Sequence, residues 1–276
     1  MDTTEDFSPY RSDGKLHGFV CVVTGASQPV GQAIIKELAA HGAASIYACD
    51  KATIPSTYLP LVTTLATCHP NTNLIPYPFP VTAEDETLTL IDEVLAAFGR
   101  LDVWICAPPA PSLSPPGPLA STTADDLDAC LRAHAIAPFF ALKHAPPAMA
   151  KLLTAKLNYP NAAPKGQVYG SIVVVVARSG GSVQTIAAHA ALGVVRAGVG
   201  ALRGSGVRVN CIGMGRVGGE GGDGGGPGGE ERAGTPQEIA RVAGFLASGF
   251  SSYVNGANLV VDGGASCHVP MTAPRG

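Results

Sequence analysis

Short apolar runs rich in β-branched residues alternate along the chain with segments whose apolar residues recur at helical spacing. This alternation is typical of a parallel β-sheet that carries helices on both faces. We interpret seven runs as strands, namely Phe19–Val23, Ser45–Cys49, Asn73–Phe79, Val103–Ala107, Ser171–Val176, Val207–Ile212 and Asn258–Val261. The pattern therefore predicts one α/β domain built on a doubly wound parallel sheet.

The third of these strands is interrupted by proline. Pro76, Pro78 and Pro80 lack the backbone N–H that a central strand would donate. We therefore expect this strand at an edge of the sheet.

The segments between the predicted strands carry residues that are typical of helix starts, helix ends and helix interiors. Thr82 is the expected cap of a helix that ends at Gly99, and Pro138 is expected to bend a later helix. The first helical segment has apolar residues at helical spacing from Val30 to Leu38 and stops at His41-Gly42. The others are expected over Thr82–Phe98, Ala124–Lys143, Thr185–Leu202 and Thr235–Leu246, the last opened by a capping box of Thr235 and Glu238.

Composition narrows the classes of function. A net charge of -3 and a pI near 6.1 give no basic surface for nucleic acid or anionic membrane, so a small-molecule ligand is favoured. The seven cysteines are scattered and never form a CxxC pair, which argues against both disulfides and a metal site. With no secretory signal and no membrane-length apolar run, a cytoplasmic location is expected.

The expected domain organisation is simple. Residues 1–17 are polar and are predicted to form a flexible N-terminal segment, and residues 269–276 a C-terminal tail. Residues 18–268 form the domain. About half of residues 213–234 are glycine, and we interpret this segment as a mobile lid.

Four segments, in order, resemble the short-chain dehydrogenase/reductase family. They are the turn Thr24–Gly31, the strand Leu101–Ile105, the strand Gly206–Ile212 and the closing segment Tyr253–Gly264, which is similar to the family's last strand and DGG turn. The resemblance implies a Rossmann-like, seven-stranded sheet with strand three at its edge. It also implies a homo-oligomer, either a dimer or a tetramer.

In that family the first turn holds the pyrophosphate of NAD or NADP at a helix N-terminus. Gly25, Ser27 and Gly31 match the turn, but Pro29 replaces its middle glycine and removes one N–H donor. Asp50 follows the second strand, where a carboxylate accepts the ribose hydroxyls and favours NAD over NADP. Dinucleotide binding and a turn kept only for folding both remain open.

Two further cofactor positions depart from the family. Pro80 stands where the family has an adenine-contacting Asp, and Cys106–Pro109 stands where it has NNAG, with Ala107 as the retained candidate cofactor contact. Both departures weaken the expectation of a bound dinucleotide.

The family's reductases use a Ser, a Tyr, a Lys and an Asn. Alignment on the neighbouring motifs places Ala177 at the Ser, His189 at the Tyr, Gly193 at the Lys and His134 at the Asn. Hydride transfer by the usual mechanism is therefore not expected. An imidazole titrates near neutral pH, so His189 and His134 are candidates for a general acid or base, the alternative being that each only fills space.

Arg178 and Ser179 directly follow the fifth strand and are candidates to anchor an anion or a carbonyl, with an exposed turn as the alternative. Three hypotheses follow for the whole chain. The first is an enzyme of small-molecule metabolism, secondary metabolism included, that performs non-redox cyclisation, isomerisation or dehydration. The second is an NAD(P)-dependent oxidoreductase in which His189 replaces Tyr, and the third is a catalytically silent binding or partner subunit.

Overall fold

The computed structural model describes residues 14–53, 55–107, 119–151, 168–177, 182–218 and 232–267. They form one parallel sheet in the order β3-β2-β1-β4-β5-β6-β7, which confirms the seven-stranded Rossmann-like prediction. The strands are β1 Val20–Thr24, β2 Ser45–Cys49, β3 Asn73–Tyr77, β4 Val103–Cys106, β5 Gly170–Ala177, β6 Val207–Met214 and β7 Asn258–Val261. The α-helices are α1 Pro29–Ala40, α2 Pro55–Cys68, α3 Glu84–Phe98, α4 Ala124–Leu131, α5 Ala137–Met149, α6 Ser182–Ala201 and α7 Pro236–Ala247.

The strand order reverses between β1 and β4, and this reversal places a crevice at the carboxyl ends of the two strands. Strand β3 lies at the sheet edge and pairs with β2, as the prolines predicted. Successive side chains of each strand point to opposite faces of the sheet and pack into two hydrophobic cores, one on each face. One core includes α1 and α7, and the other includes α3, α5, α6 and the fully buried Trp104.

Several helices depart from the sequence prediction, and α6 begins at Ser182, three residues before the expected Thr185. Helix α2 was not predicted. The cap of α3 is Ala83 rather than Thr82, because the Glu86 carboxylate accepts the backbone N–H groups of Thr82 at 2.7 Å and Ala83 at 3.0 Å. The helix expected to bend at Pro138 is divided there by a π-helical segment, Arg132–Ile136, which joins α4 to α5.

The ends of the predicted domain also change. Leu16 is fully buried and its N–H donates to the His41 carbonyl at 2.8 Å, so the packed domain begins before residue 18. Gly213 and Met214 belong to β6, so the glycine-rich segment starts after them. Residues 1–13, 219–231 and 268–276 lie outside the described residues. No described helix is both long and apolar enough to cross a lipid bilayer.

Candidate functional site

The turn between β1 and α1 depends on two glycines. Gly25 has φ of 65°, in the left-handed region that favours glycine. A Cβ on Gly31 would lie 2.3 Å from the Gly25 carbonyl oxygen and 2.9 Å from Cα of Ala26. Helix α1 therefore approaches the turn this closely only because Gly31 lacks a side chain, and its N-terminus points into the crevice.

Pro29 occupies the first turn of α1. The first four N–H groups of a helix have no intrahelical acceptor, so proline costs the helix itself nothing here. The same N–H groups are the ones that bind an anion at a helix N-terminus. Pro29 therefore preserves the fold of the turn while leaving one donor fewer for a phosphate.

Ser27 and Asp50 are joined by a hydrogen bond. The Ser27 hydroxyl donates to Asp50 Oδ2 at 2.7 Å and accepts from Nε2 of Gln28 at 2.9 Å. Asp50 Oδ1 accepts the backbone N–H of Ala52 at 3.2 Å, and the side chain is partly exposed. A carboxylate has about four acceptor sites, so Asp50 retains capacity for ribose hydroxyls.

Ala107 directly follows β4 and lies beside the turn. It is buried, and its N–H donates to the Thr24 carbonyl at 3.2 Å. Taken together, the tight glycine turn, the helix N-terminus and the carboxylate of Asp50 fit a dinucleotide, with the diphosphate at α1 and the ribose at Asp50. Pro29 is the one residue of the turn that opposes this fit.

Strand β5 supplies the other wall of the crevice. It ends at Ala177, paired with Met214 of β6, so a methyl group stands at the candidate Ser position. Arg178 and Ser179 lie outside the described residues, and their roles stay predictions.

His189 lies on the exposed side of α6. Its Nδ1 is 2.8 Å from the carbonyl oxygen of Thr185, four residues earlier in the same helix. Gly193, one turn later, is also exposed, and a Cβ there would contact nothing within 4 Å. The structure therefore does not bring His189 and Gly193 into the buried face of this helix.

The buried face of α6 carries different residues. Ala187, Ala191 and Val195 are fully buried, and a repeat of 3.6 residues puts Gln184 and Ala188 on the same side. Gln184 and Ala188 have the four-residue spacing of the family's Tyr and Lys. The sequence analysis did not single out Gln184, because it expected the helix to begin one residue later, at Thr185.

His134 lies in the π-helical segment, which packs against α6. It is partly buried, and burial lowers its pKa because the charged imidazolium loses hydration. His134 is therefore neutral at physiological pH, when one ring nitrogen can donate a proton and the other can accept one.

Thiol and metal chemistry gain no support from the described residues. Cys106 ends β4 beside the crevice, but burial raises its pKa to about 12, so it is a thiol and not a thiolate nucleophile at neutral pH. No three His, Cys, Asp or Glu side chains among the described residues lie close enough to hold a metal ion.

Several relatives are similar over nearly the whole chain. Momilactone A synthase of Oryza sativa subsp. japonica is 27% identical over 274 residues, covering 91% of each protein. (+)-cis,trans-Nepetalactol synthase of Nepeta racemosa is 26% identical over 280 residues, covering 94% of this chain and 95% of that protein. The mitochondrial borneol dehydrogenase of Lavandula x intermedia is 24% identical over 261 residues, covering 91% of this chain and 92% of that protein.

A crystal structure of a short-chain type dehydrogenase/reductase from Mycobacterium marinum superposes with a TM-score of 0.74 at 19% identity, covering 92% of this chain and 98% of that one. This likeness shows the fold. Residues 19–221 match the family described as short chain dehydrogenase, and residues 229–266 match the one described as Enoyl-(Acyl carrier protein) reductase. Together with the sheet order and the glycine turn, these matches show that the chain belongs to the short-chain dehydrogenase/reductase family.

Proposed function

We propose that this protein is an enzyme that converts an apolar small molecule carrying a hydroxyl or carbonyl group without net hydride transfer, by cyclisation, isomerisation or dehydration. One observation carries the proposal. Helix α6 contains neither tyrosine nor lysine along its whole length, and the strand before it ends in Ala177. No choice of alignment within α6 can therefore supply the Tyr and Lys of the family's reductases.

The residues that remain suit reactions of this kind. Ala177 and the alanines of α6 give an apolar wall, and the neutral imidazole of His134 can accept or donate one proton. Holding a flexible substrate in a reactive conformation can by itself lower a barrier substantially. His189 remains a second candidate acid or base, although its exposure and its hydrogen bond to Thr185 weigh against that role.

The relatives support an apolar substrate. Two are named as synthases, of momilactone A and of a nepetalactol, and one is named as a dehydrogenase of borneol. We therefore expect the crevice at the carboxyl ends of the strands, called the cleft below, to bind a terpenoid-sized molecule with few polar groups.

An NAD-dependent oxidoreductase is the second candidate, because the Ser27–Asp50 pair and the glycine turn fit a dinucleotide. The two candidates differ in the fate of the nicotinamide. A bound dinucleotide that is neither oxidised nor reduced during turnover is compatible only with the first.

The experiment is a product analysis. The purified protein is incubated with a panel of terpenoid alcohols, aldehydes and ketones, with and without NAD and NADH, and products are identified by mass spectrometry while nicotinamide absorbance is followed. We expect a product that is isomeric with its substrate or lighter by one water, with unchanged absorbance. Conversion that depends on a matching change in absorbance would instead establish the oxidoreductase.

A matched pair of variants locates the site. Ala177→Leu adds bulk at the end of β5 and should abolish conversion, whereas Ala201→Leu, at the exposed far end of α6, should leave it unchanged. Equal effects would place the chemistry elsewhere.

We also propose a homo-oligomer, as the resemblance to the family implies, and the side chains of Leu119, Phe139 and Ile186, which are 62%, 47% and 42% exposed, are available to an interface. Light scattering during size-exclusion chromatography tests this, and a monomeric mass would contradict it.

A further inference from the structure

Two buried side-chain polar atoms among the described residues lack a hydrogen-bond partner, Nε1 of Trp104 and Oε1 of Gln184. Trp104 belongs to the core, and its indole lies beside the Cys106 thiol. Gln184 has no such explanation. A buried amide oxygen without a partner costs free energy, so in a native protein we expect such an atom to meet a water, an ion or a ligand.

Gln184 is the third residue of α6, the helix that follows β5. It therefore lies at the carboxyl end of the sheet, where ligands bind in this class of fold. Its place on the same face as Ala187 and Ala191 directs it toward the sheet rather than toward solvent. The residue as a whole is only partly buried, so its side chain is not sealed inside the core.

The chemistry of the amide limits the ligand. It is uncharged, and rotation about its last torsion exchanges a carbonyl acceptor for an NH2 donor. It can therefore bind a hydroxyl or a carbonyl oxygen, but it supplies no charge for a phosphate or a carboxylate. Ala188, one turn along, adds only a methyl group.

We propose that Gln184 is the residue that binds the substrate's oxygen, and that the ligand is a neutral, largely hydrocarbon molecule with one hydroxyl or carbonyl group. This inference rests on the proposed function in taking the cleft as the substrate site. It does not depend on whether the reaction transfers hydride.

The test compares three compounds with one carbon skeleton: camphor, which carries a carbonyl, borneol, which carries a hydroxyl, and bornane, which carries neither. Affinities are measured by ligand-detected NMR, without turnover. We expect the wild type to bind camphor and borneol about tenfold more tightly than bornane. Gln184→Leu should abolish this preference, and Arg196→Leu, at an exposed position of the same helix, should retain it.

Thermal unfolding without ligand provides a second measurement. Gln184→Leu removes an unpartnered polar atom, so its Tm should equal or exceed that of the wild type. A Tm that falls in Gln184→Leu would show that Gln184 serves the fold.

The proposal is overturned by that fall, by a preference that survives in Gln184→Leu, or by a wild type that binds none of the three compounds or does not distinguish them. Hydride transfer during turnover would overturn the proposed non-redox function while leaving the oxygen preference intact. The two failures are therefore distinguishable.

Discussion

The close approach of α1 to the first turn gives a quantitative prediction for Gly31→Ala. The new Cβ would lie 2.3 Å and 2.9 Å from backbone atoms, which cannot swing aside as the end of a side chain can. Helix α1 must therefore move away from the turn. Overpacking of this kind costs roughly 1–3 kcal/mol. At about 2–4 °C per kcal/mol, Tm should fall by roughly 2–12 °C.

Gly193→Ala is the matched control, because its Cβ would contact nothing within 4 Å and it lies exposed inside α6. Replacing a helical glycine with alanine should raise stability by about 0.5–1 kcal/mol. Urea unfolding followed by the fluorescence of Trp104, the single and buried tryptophan, measures both variants. If Gly31→Ala were as stable as the wild type, or if Gly193→Ala lost comparable stability, the steric account of the turn would be refuted.

Three further predictions concern the crevice. Calorimetry should find weak dinucleotide binding that favours NAD over NADP, because Asp50 repels a 2′-phosphate, and that strengthens in Pro29→Gly, because Pro29 lacks an N–H donor. Tight NADPH binding would contradict this. If His189 is the acid or base, His189→Phe should reduce turnover about 10²–10⁴-fold, and His17→Phe should not. Full activity in both variants would show that another group is the acid or base. The pKa of His134 is lowered in the folded state, so the unfolded chain binds its proton more tightly, and the free energy of unfolding should decline as pH falls below about 6.5. Urea unfolding of His134→Gln should lack this decline. A pH profile identical to that of the wild type would refute the role given to His134.

Most of the sheet could be predicted from the sequence because its strands are continuous apolar runs between turn residues. The bounds of β2 and β7 agree with the prediction, and the prolines placed β3 at the edge. Helix α2 was not predicted; it begins at Pro55, where proline is favourable, but it also contains Pro60, and an interior proline is unusual in a helix.

The candidate site was harder to predict because it depends on the rotation of one helix. The sequence alignment placed His189 in the pocket, but a shift of five residues on α6 moves a side chain to a different face, and alanine occurs on both faces. The buried stripe of Ala187, Ala191 and Val195 decides the rotation, and Gln184 lies on the same face of the helix. The hydrogen bond between Ser27 and Asp50 also depends on contacts between β1 and β2 that no local pattern reveals.

We propose that this member of the family transforms its substrate without net hydride transfer, and labelling the transferable hydrogen with deuterium decides the point. NADH carrying deuterium at the transferable position, or a secondary alcohol deuterated at its carbinol carbon together with NAD, is incubated with the terpenoid panel until conversion is seen. We expect converted product without deuterium gained from NADH and without deuterium lost to NAD, because α6 has no Tyr and no Lys. Deuterium from NADH in the product, or deuterated NADH formed from the alcohol, would contradict it.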